Sequence, residues 1–229
     1  MNPKTKEING YPFELYTKAS ITEKDSLNKS IAYCQSINQR RTVRDFSDKP
    51  IAKEVIENII MSASSAPSGA HKQPWTFCAV ANPVLKSKIR AAAEKEEIES
   101  YENRMNEEWL KDLAPLGTDH NKPFLEIAPW LIVVFKKAYN LDKEGNRTSN
   151  YYVNESVGLA CGFLLTAIHH AGLVALTHTP SPMNFLTALL ERPKNEKPYL
   201  LIPVGHPTEG TYVPKLERKS LEVVGRFYE

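Results

Sequence analysis

The sequence predicts a three-layer mixed α/β fold, in which a central mixed sheet is flanked by helices. Two observations support this class: segments with helical spacing of apolar residues alternate with short, continuous apolar runs, and no repeat or low-complexity tract interrupts them. A third is length, because 229 residues can bury a substantial core in one domain. We therefore expect residues 1–229 to form a single domain.

Four segments carry the signature of helices. Apolar residues recur at helical spacing in residues 22–37 and 52–63. A longer helix is predicted for residues 150–170, with Gly172 placed to end it, and a short one around residues 184–190. These helices supply the two outer layers of the predicted fold.

Four segments are typical of strands. Residues 75–80 and 129–135 are continuous apolar runs of the length expected for buried strands. Residues 173–177 and 199–204 predict two further strands. Together they form the predicted central sheet.

Composition excludes several classes of function. A net charge of +2 with 24% charged residues gives no basis for nucleic-acid binding. The longest apolar run, residues 128–135, is far short of the roughly 20 residues of a membrane span. Residues 1–7 lack the apolar core of a signal peptide, so we expect a soluble, cytoplasmic protein without a membrane partner. Three widely spaced cysteines fit neither a disulfide framework nor a zinc site, and no metal is expected.

Two segments predict a cofactor site. Residues 40–44 read Arg-Arg-Thr-Val-Arg, and a loop with a Pro-Ser-Gly turn follows at residues 66–75. Three guanidiniums and a hydroxyl can hold a phosphate through charge-assisted hydrogen bonds, and such a turn lets backbone amides approach a flat ligand. Each segment alone is also typical of a solvated surface or an ordinary turn. Together they predict a site for an anionic cofactor.

The order and spacing of these segments, with a third at residues 177–180, resemble the nitroreductase-type flavoproteins and, within them, the iodotyrosine deiodinases. Residues 154–162 and 201–207 also match, so that the resemblance runs from about Gln39 to Arg218 and leaves an N-terminal arm, residues 1–21, poorly matched. It implies a nitroreductase-like fold and a homodimer. The C-terminal extension, about residues 208–229, is then domain-swapped and embraces the neighbouring subunit.

The resemblance also implies that FMN is the cofactor. Its phosphate and pyrimidine edge are then expected at Arg40, Arg41, Thr42, Val43 and Arg44. Ser68 adds a contact from the loop, and Arg218 adds one from the C-terminal extension, across the dimer. Thr42 replaces the serine more usual in this family, which keeps the hydroxyl.

Residues 177–180 read Thr-His-Thr-Pro. Thr179 matches the threonine whose hydroxyl bonds flavin N5 in the deiodinases, so Thr177, His178 and Thr179 are predicted cofactor contacts and Thr179 is the predicted catalytic residue. That bond favours one-electron steps, which suit reductive removal of a halogen from an aromatic ring. His178 departs from the family pattern, in which a threonine is expected. From the residues alone, the two threonines are equally suited to capping the turn before Pro180.

A charged segment, residues 94–105, leads to Lys122 and predicts a lid over about residues 94–122. A run with five glutamates is usually a solvated helix face, but Glu97 and Tyr101 are four residues apart and share one side of a helix. A zwitterionic amino acid needs an anion, a cation and an apolar or aromatic wall, which Glu97, Lys122 and Tyr101 supply. The resemblance assigns these three residues to a halotyrosine and the backbone amide of Ala70 to its phenolate oxygen.

The function implied by the resemblance is FMN-dependent reductive dehalogenation of mono- and diiodotyrosine to tyrosine and halide, with NAD(P)H or a reductase as electron donor. One alternative is an NAD(P)H-dependent nitroreductase or quinone reductase of the same fold, in which the lid residues are incidental. Another is a flavin-fragmenting enzyme that makes dimethylbenzimidazole. A third, from a different class, is a non-catalytic ligand-binding protein.

Overall fold

The computed structural model describes residues 4–229, which divide into two compact units, one ending at Gln39 and the other running from Arg40 to Glu229. Residues 1–3 of the predicted arm lie outside the described residues. In the first unit, strands β1 (Thr5–Ile8) and β2 (Tyr11–Glu14) form an antiparallel hairpin, and helix α1 (Glu23–Gln39) follows. The hairpin turns at Asn9 and Gly10, whose φ angles of 53° and 79° suit a two-residue turn of the type that Asn-Gly favours.

The second unit contains the remaining helices. They are α2 (Lys53–Ser64), α3 (Pro83–Glu99), α4 (Glu107–Leu113), α5 (Phe124–Ile127), α6 (Val153–His170), α7 (Asn184–Leu189) and α8 (Leu221–Val224). Short 3-10 turns occur at Gly69–His71 and Ala114–Leu116, and a π-helical turn continues α3 at Ser100–Arg104. Among the helices within residues 4–229, none is long and apolar enough to cross a membrane.

The second unit is built around one four-stranded sheet. Its strands are β3 (Trp75–Val80), β4 (Trp130–Lys137), β7 (Val174–Ala175) and β8 (Glu196–Gly205), while β5 (Tyr139–Leu141) and β6 (Arg147–Ser149) form a separate hairpin. The order in the sheet is β3-β4-β8-β7, and its ladders are antiparallel. A parallel bridge between Thr42 and Ala175 joins the basic segment to the edge of the sheet.

Strand β4 lies at the centre of the core. Ile132 and Val134 belong to a buried cluster with α2 and α6, whereas Leu131, Val133 and Phe135 belong to a second cluster with α3, α5 and α7. This alternation follows from the two-residue period of a strand that is covered on both faces. The predicted three-layer arrangement of helices around a central sheet is confirmed.

The predicted elements are found with shifted ends. The helix predicted from residue 150 begins at Val153, because Tyr152 adopts a left-handed conformation with φ 49°. The strand predicted for residues 199–204 extends to Glu196–Gly205, and the one predicted for residues 173–177 shortens to Val174–Ala175. The two hairpins were not predicted.

A buried carboxylate joins one end of the sheet to the segment before β8. Glu196 is 2% exposed and accepts hydrogen bonds from the Arg192 Nε and the Thr76 hydroxyl, both at 2.7 Å. Burial by itself raises the pKa of Glu196, but these two bonds and the charges of Arg192 and Lys137 hold the pKa below its ordinary value. The carboxylate therefore remains ionised and fixes this end of the sheet.

Candidate functional site

The basic segment lines a cavity of about 290 Å³. The lining residues are Arg40, Arg41, Thr42, Arg44, Leu116, Pro214, Leu216, Glu217 and Arg218. The structure thus brings four predicted cofactor residues together with Arg218, which lies far along the chain. Several guanidiniums around one cavity favour an anionic ligand.

The backbone of the basic segment explains which side chains face the cavity. Thr42 forms a parallel β-bridge with Ala175, in which the N–H of Val43 donates to the Ala175 carbonyl at 3.3 Å. In this extended stretch alternate side chains point to opposite faces, so that Val43 is buried at 5% exposure while Thr42 and Arg44 line the cavity. Val43 therefore has only its backbone to offer a ligand.

The C-terminal extension lies over the basic segment of its own chain. The Arg41 guanidinium donates to the Pro214 carbonyl, and the Arg218 guanidinium donates to the Arg40 carbonyl at 3.0 Å. A guanidinium has five N–H donors, so each of these bonds orients the group and leaves donors for a ligand.

The three predicted lid residues lie next to one another. Glu97 is near the end of α3, Tyr101 is in the π-helical turn that follows, and Lys122 precedes α5. The Glu97 Oε2 lies 3.2 Å from the Lys122 Nζ, and the same ammonium lies 5.6 Å from the centre of the Tyr101 ring. Lys122 is 3% exposed and Glu97 is 9% exposed, so the ion pair is buried. A buried anion and a buried cation thereby lie beside a partly exposed aromatic ring.

The loop before Lys122 completes the surroundings of this ion pair. The Lys122 ammonium donates to the Thr118 hydroxyl at 3.1 Å and to the Asp119 carbonyl. The Tyr101 hydroxyl donates to the Thr118 carbonyl at 3.2 Å, and burial raises the pKa of this phenol. The pair is therefore anchored to the lid loop as well as to α3.

The loop at residues 66–75 has an unusual backbone. Ala70, His71 and Gln73 have φ angles of 48°, 54° and 46°, which side-chain-bearing residues rarely adopt. Gly69 is required next to them, because an added Cβ would lie 2.7 Å from the carbonyl oxygen of Tyr151. Left-handed residues cluster at ligand-binding sites, where surrounding structure sustains their cost of about 1–3 kcal/mol each.

Neither Ser68 nor Ala70 lines the arginine cavity. The Ser68 hydroxyl accepts the N–H of Gln73 at 2.9 Å and so stabilises the loop internally. Ala70 is exposed, and the N–H of Gly69 donates to the Ser156 hydroxyl at 3.2 Å. The structure therefore does not bring the loop and the basic segment into one cavity.

Residues 177–179 alternate between solvent and core. The backbone of His178 exchanges two hydrogen bonds with Leu201 of β8, at 2.9 and 3.0 Å. This extended pairing sends the His178 side chain inward, where it is 7% exposed, and leaves Thr177 and Thr179 exposed. The predicted cofactor threonines are thus accessible, whereas the side chain of His178 is not.

His178 lies within the electrostatic influence of Lys122 in the lid and of Arg44 in the basic segment. Its ring packs edge-on against Phe124, with centroids 5.7 Å apart. Burial, reinforced by the positive charges of Lys122 and Arg44, lowers the pKa of His178 to about 3. Within the described residues its Nε2 is buried without a hydrogen-bond partner. The imidazole is therefore neutral at physiological pH.

Several residues that shape this region were not predicted. Leu116 of the lid and Pro214 of the extension line the cavity, and Thr118 and Asp119 hold the Lys122 ammonium. The lid and the cavity also interact through charge, because Arg44 lowers and Glu97 raises the pKa of Tyr101. Among these residues, only those of the lid lay in a segment that the sequence had singled out, because that segment is highly charged and contains Pro and Gly.

The buried imidazole predicts a pH-dependent stability. Because the folded protein protonates His178 near pH 3 and the unfolded chain does so near about pH 6.5, stability is complete above that value and falls as the pH decreases. His178→Gln removes this dependence, so between pH 7 and pH 5 the unaltered protein should lose about 2 kcal/mol more than the variant. Denaturant unfolding at both pH values measures the difference. The exposed His170→Gln is the control, and equal losses in all three proteins would contradict the assignment.

Comparisons with known proteins place these features in a family. The nitroreductase family model matches residues 37–206. The chain is 63% identical over 209 residues to the iodotyrosine deiodinase of Haliscomenobacter hydrossis, covering 91% of this chain and 94% of that protein. It is 43% identical over 221 residues to the iodotyrosine deiodinase of Nematostella vectensis, covering 95% of this chain and 83% of that protein.

A solved structure extends the comparison to three dimensions. The crystal structure of an oxidized iodotyrosine deiodinase bound to FMN and 3-iodo-L-tyrosine superposes with a TM-score of 0.71 at 32% identity, covering 86% of this chain and 99% of that one. A nitroreductase-like protein from Streptococcus mutans matches with a TM-score of 0.63 at 17% identity, which concerns the fold alone. The chain belongs to the nitroreductase family and, within it, to the iodotyrosine deiodinases.

Proposed function

We propose that this protein removes iodine reductively from mono- and diiodotyrosine, giving tyrosine and iodide, with FMN as its cofactor and NAD(P)H or a reductase as the electron donor. The observation that carries the proposal is the buried Glu97–Lys122 ion pair beside Tyr101, in a member of a family in which one protein has been crystallised with FMN and 3-iodo-L-tyrosine. FMN, when bound, supplies the electrons for the reduction.

The basic cavity fits the phosphate end of FMN. Arg40, Arg41, Thr42, Arg44 and Arg218 provide guanidiniums and a hydroxyl around one volume, which is the donor set that a phosphate requires. The backbone of Val43 lies in the same stretch. By family resemblance, Ser68, Thr177, His178 and Thr179 lie at the ring system. Thr177 and Thr179 offer their hydroxyls, whereas the side chain of His178 is buried and its backbone N–H and carbonyl are both bonded to Leu201.

The ion pair selects an amino acid that carries both charges. A zwitterion offers its carboxylate to Lys122 and its ammonium to Glu97, so each buried charge keeps a partner when the two side chains separate. A ligand with only one of these charges would leave a buried ion unpaired, which is strongly unfavourable. The Tyr101 ring then forms a wall against the ligand, and the closed lid excludes water from the reacting ring.

Two further groups act on the aromatic ring of the substrate. The Ala70 amide, in the loop held by Gly69 and Ser156, donates to the phenolate oxygen and stabilises the ionised phenol. The Thr179 hydroxyl, exposed beside the buried His178, would by resemblance to the deiodinases donate a hydrogen bond to N5 of bound FMN, which would supply one-electron chemistry. Thr179 is therefore the proposed catalytic residue.

The proposed substrate site predicts the effect of removing either charge. Glu97→Gln or Lys122→Gln should weaken binding of 3-iodotyrosine by about 1.5–3 kcal/mol, because a charge-assisted hydrogen bond is lost. Both variants should retain FMN, since the basic cavity is unchanged. Quenching of flavin fluorescence by the ligand measures the affinity. Glu102→Gln removes an exposed carboxylate from the same lid and is the control; unchanged affinity in the first two variants would remove the lid from the account.

The role of Thr179 leads to a separate prediction. Thr179→Ala should slow iodide release from 3-iodotyrosine by about tenfold or more while leaving both FMN and ligand affinity near the unaltered values, because a hydrogen bond at the reacting flavin is lost. Single-turnover iodide release from the reduced protein measures the rate. Thr187→Ala on α7 is the control, and a normal rate in Thr179→Ala would refute the catalytic assignment.

We also propose that the protein is a homodimer. One face of α6 packs in the core, but Leu159 and Phe163 on its other face are 49% and 43% exposed. The C-terminal extension exposes Phe227 and Tyr228 at 74% and 95%. Exposed apolar side chains at this density favour an interface, and we infer a second copy of the chain as the partner because most soluble oligomers are homo-oligomers.

Sedimentation tests the dimer directly. At micromolar concentration the protein should sediment at twice its 25.9 kDa chain mass. Phe163→Asp should shift it toward the monomer, because a charge would be buried in the interface. Val84→Asp, on an exposed apolar position of α3, is the control. A monomer in the unaltered protein would contradict the proposal.

A further inference from the structure

Helix α3 bonds to both the backbone and the side chain of Lys122. The Glu97 carboxylate pairs with the Lys122 ammonium at 3.2 Å, and the Glu94 Oε1 accepts the backbone N–H of Lys122 at 2.7 Å. Glu94 and Glu97 are three residues apart, so they project from the same side of the helix. The backbone and the side chain of Lys122 are therefore fixed to one rigid element.

A single arginine holds this arrangement together. The Arg90 Nε donates to the Glu94 Oε1 at 2.8 Å, which is the same oxygen that accepts the N–H of Lys122. The two terminal nitrogens of Arg90 donate to the Asn121 Oδ1 at 3.0 Å and the Glu126 Oε2 at 2.8 Å. Arg90 thus contacts α3, the residue before Lys122, and the helix after it.

We propose that Arg90, acting through Glu94, is a positioning residue for amino-acid recognition, because it fixes the backbone of Lys122 so that the ammonium meets the substrate carboxylate. This inference rests on the proposed function of the lid. The planar guanidinium is suited to the task, since its donors reach three acceptors in different directions at once, whereas a lysine ammonium is a compact charge on a flexible stem.

The same segment is held at its far end by a buried lysine. Lys86 is 7% exposed, and its ammonium donates to the carbonyls of Glu126 and Ala128, both at 2.8 Å. Residues 121–128 are therefore bonded to α3 through Lys86 as well as through Arg90, Glu94 and Glu97. Lys86 acts on the end of α5, whereas Arg90 bonds to Asn121 and, through Glu94, acts on the backbone of Lys122.

The Arg90→Gln variant tests the inference in the FMN-loaded protein. Its affinity for 3-iodotyrosine should fall about threefold to tenfold, a modest loss because Arg90 is 27% exposed, while bound FMN and the rate of iodide release at saturating ligand remain unchanged. Without ligand, amide hydrogen exchange in residues 118–128 should become faster. Lys53→Gln on α2 is the control, since Lys53 also pairs with a glutamate four residues on, Glu57, and both side chains of that pair are exposed.

Two further variants separate positioning from charge. Arg90→Lys should bind 3-iodotyrosine as weakly as Arg90→Gln, because lysine keeps the positive charge but lacks the planar set of donors that reaches three acceptors. Glu94→Ala should weaken binding, and combining it with Arg90→Gln should add nothing further, since the two residues act in series. Full rescue by Arg90→Lys, or additive losses in the double variant, would overturn the inference.

The exchange measurement is independent of the proposed function. If the unaltered protein fails to bind 3-iodotyrosine, the proposed function fails, and exchange in residues 118–128 still decides whether Arg90 fixes this segment. Unchanged exchange and unchanged affinity in Arg90→Gln would refute the positioning role even if the unaltered protein dehalogenates its substrate.

Discussion

The arrangement of the lid depends on one buried ion pair, formed by Glu97 and Lys122. Each charge is nearly inaccessible to water, so either one alone would cost about 3–5 kcal/mol, and the two must stay together or be given other partners. The end of α3, the π-helical turn with Tyr101 and the Thr118–Asp119 loop are all arranged around this pair. A zwitterionic ligand carries both of the charges needed to replace these partners, which is the basis of the proposed substrate selection.

The lid and the basic cavity are physically connected. Leu116 belongs to the lid and lines the cavity, and Arg44 of the cavity acts on the pKa of Tyr101. Burial lowers the pKa of His178, and the positive charges of Lys122 and Arg44 lower it further. The protonation of Tyr101 and of His178 therefore depends on charges in both the lid and the basic segment.

The sequence predicted the layers of the fold because strong local patterns determine them. Strand β4 is a continuous apolar run, and α2 and α6 have apolar faces, so each was visible without its neighbours. The hairpin β5–β6 was missed because its three-residue strands are too short to show a pattern. The hairpin β1–β2 did have a local signal, Asn9-Gly10, that the prediction left unused.

The candidate site was predictable where its residues form a contiguous motif or have the spacing of a known family. The basic segment and the Glu97, Tyr101 and Lys122 set were found from spacing and family resemblance, and the structure brings the latter three together. The role of Arg90 was not predictable, because its partners Asn121 and Glu126 lie about thirty residues away and meet it only after folding. The burial of His178 likewise follows from pairing with Leu201 rather than from its neighbours in sequence.

The most direct test of the account is an anaerobic titration of the chemically reduced, FMN-loaded protein with diiodotyrosine, following flavin absorbance and iodide together. Reduction of one carbon–iodine bond consumes two electrons, so reoxidation of each flavin should be accompanied by one iodide. A flavin that stays reduced in the presence of diiodotyrosine would contradict the proposed dehalogenation and favour a nitroreductase or quinone reductase.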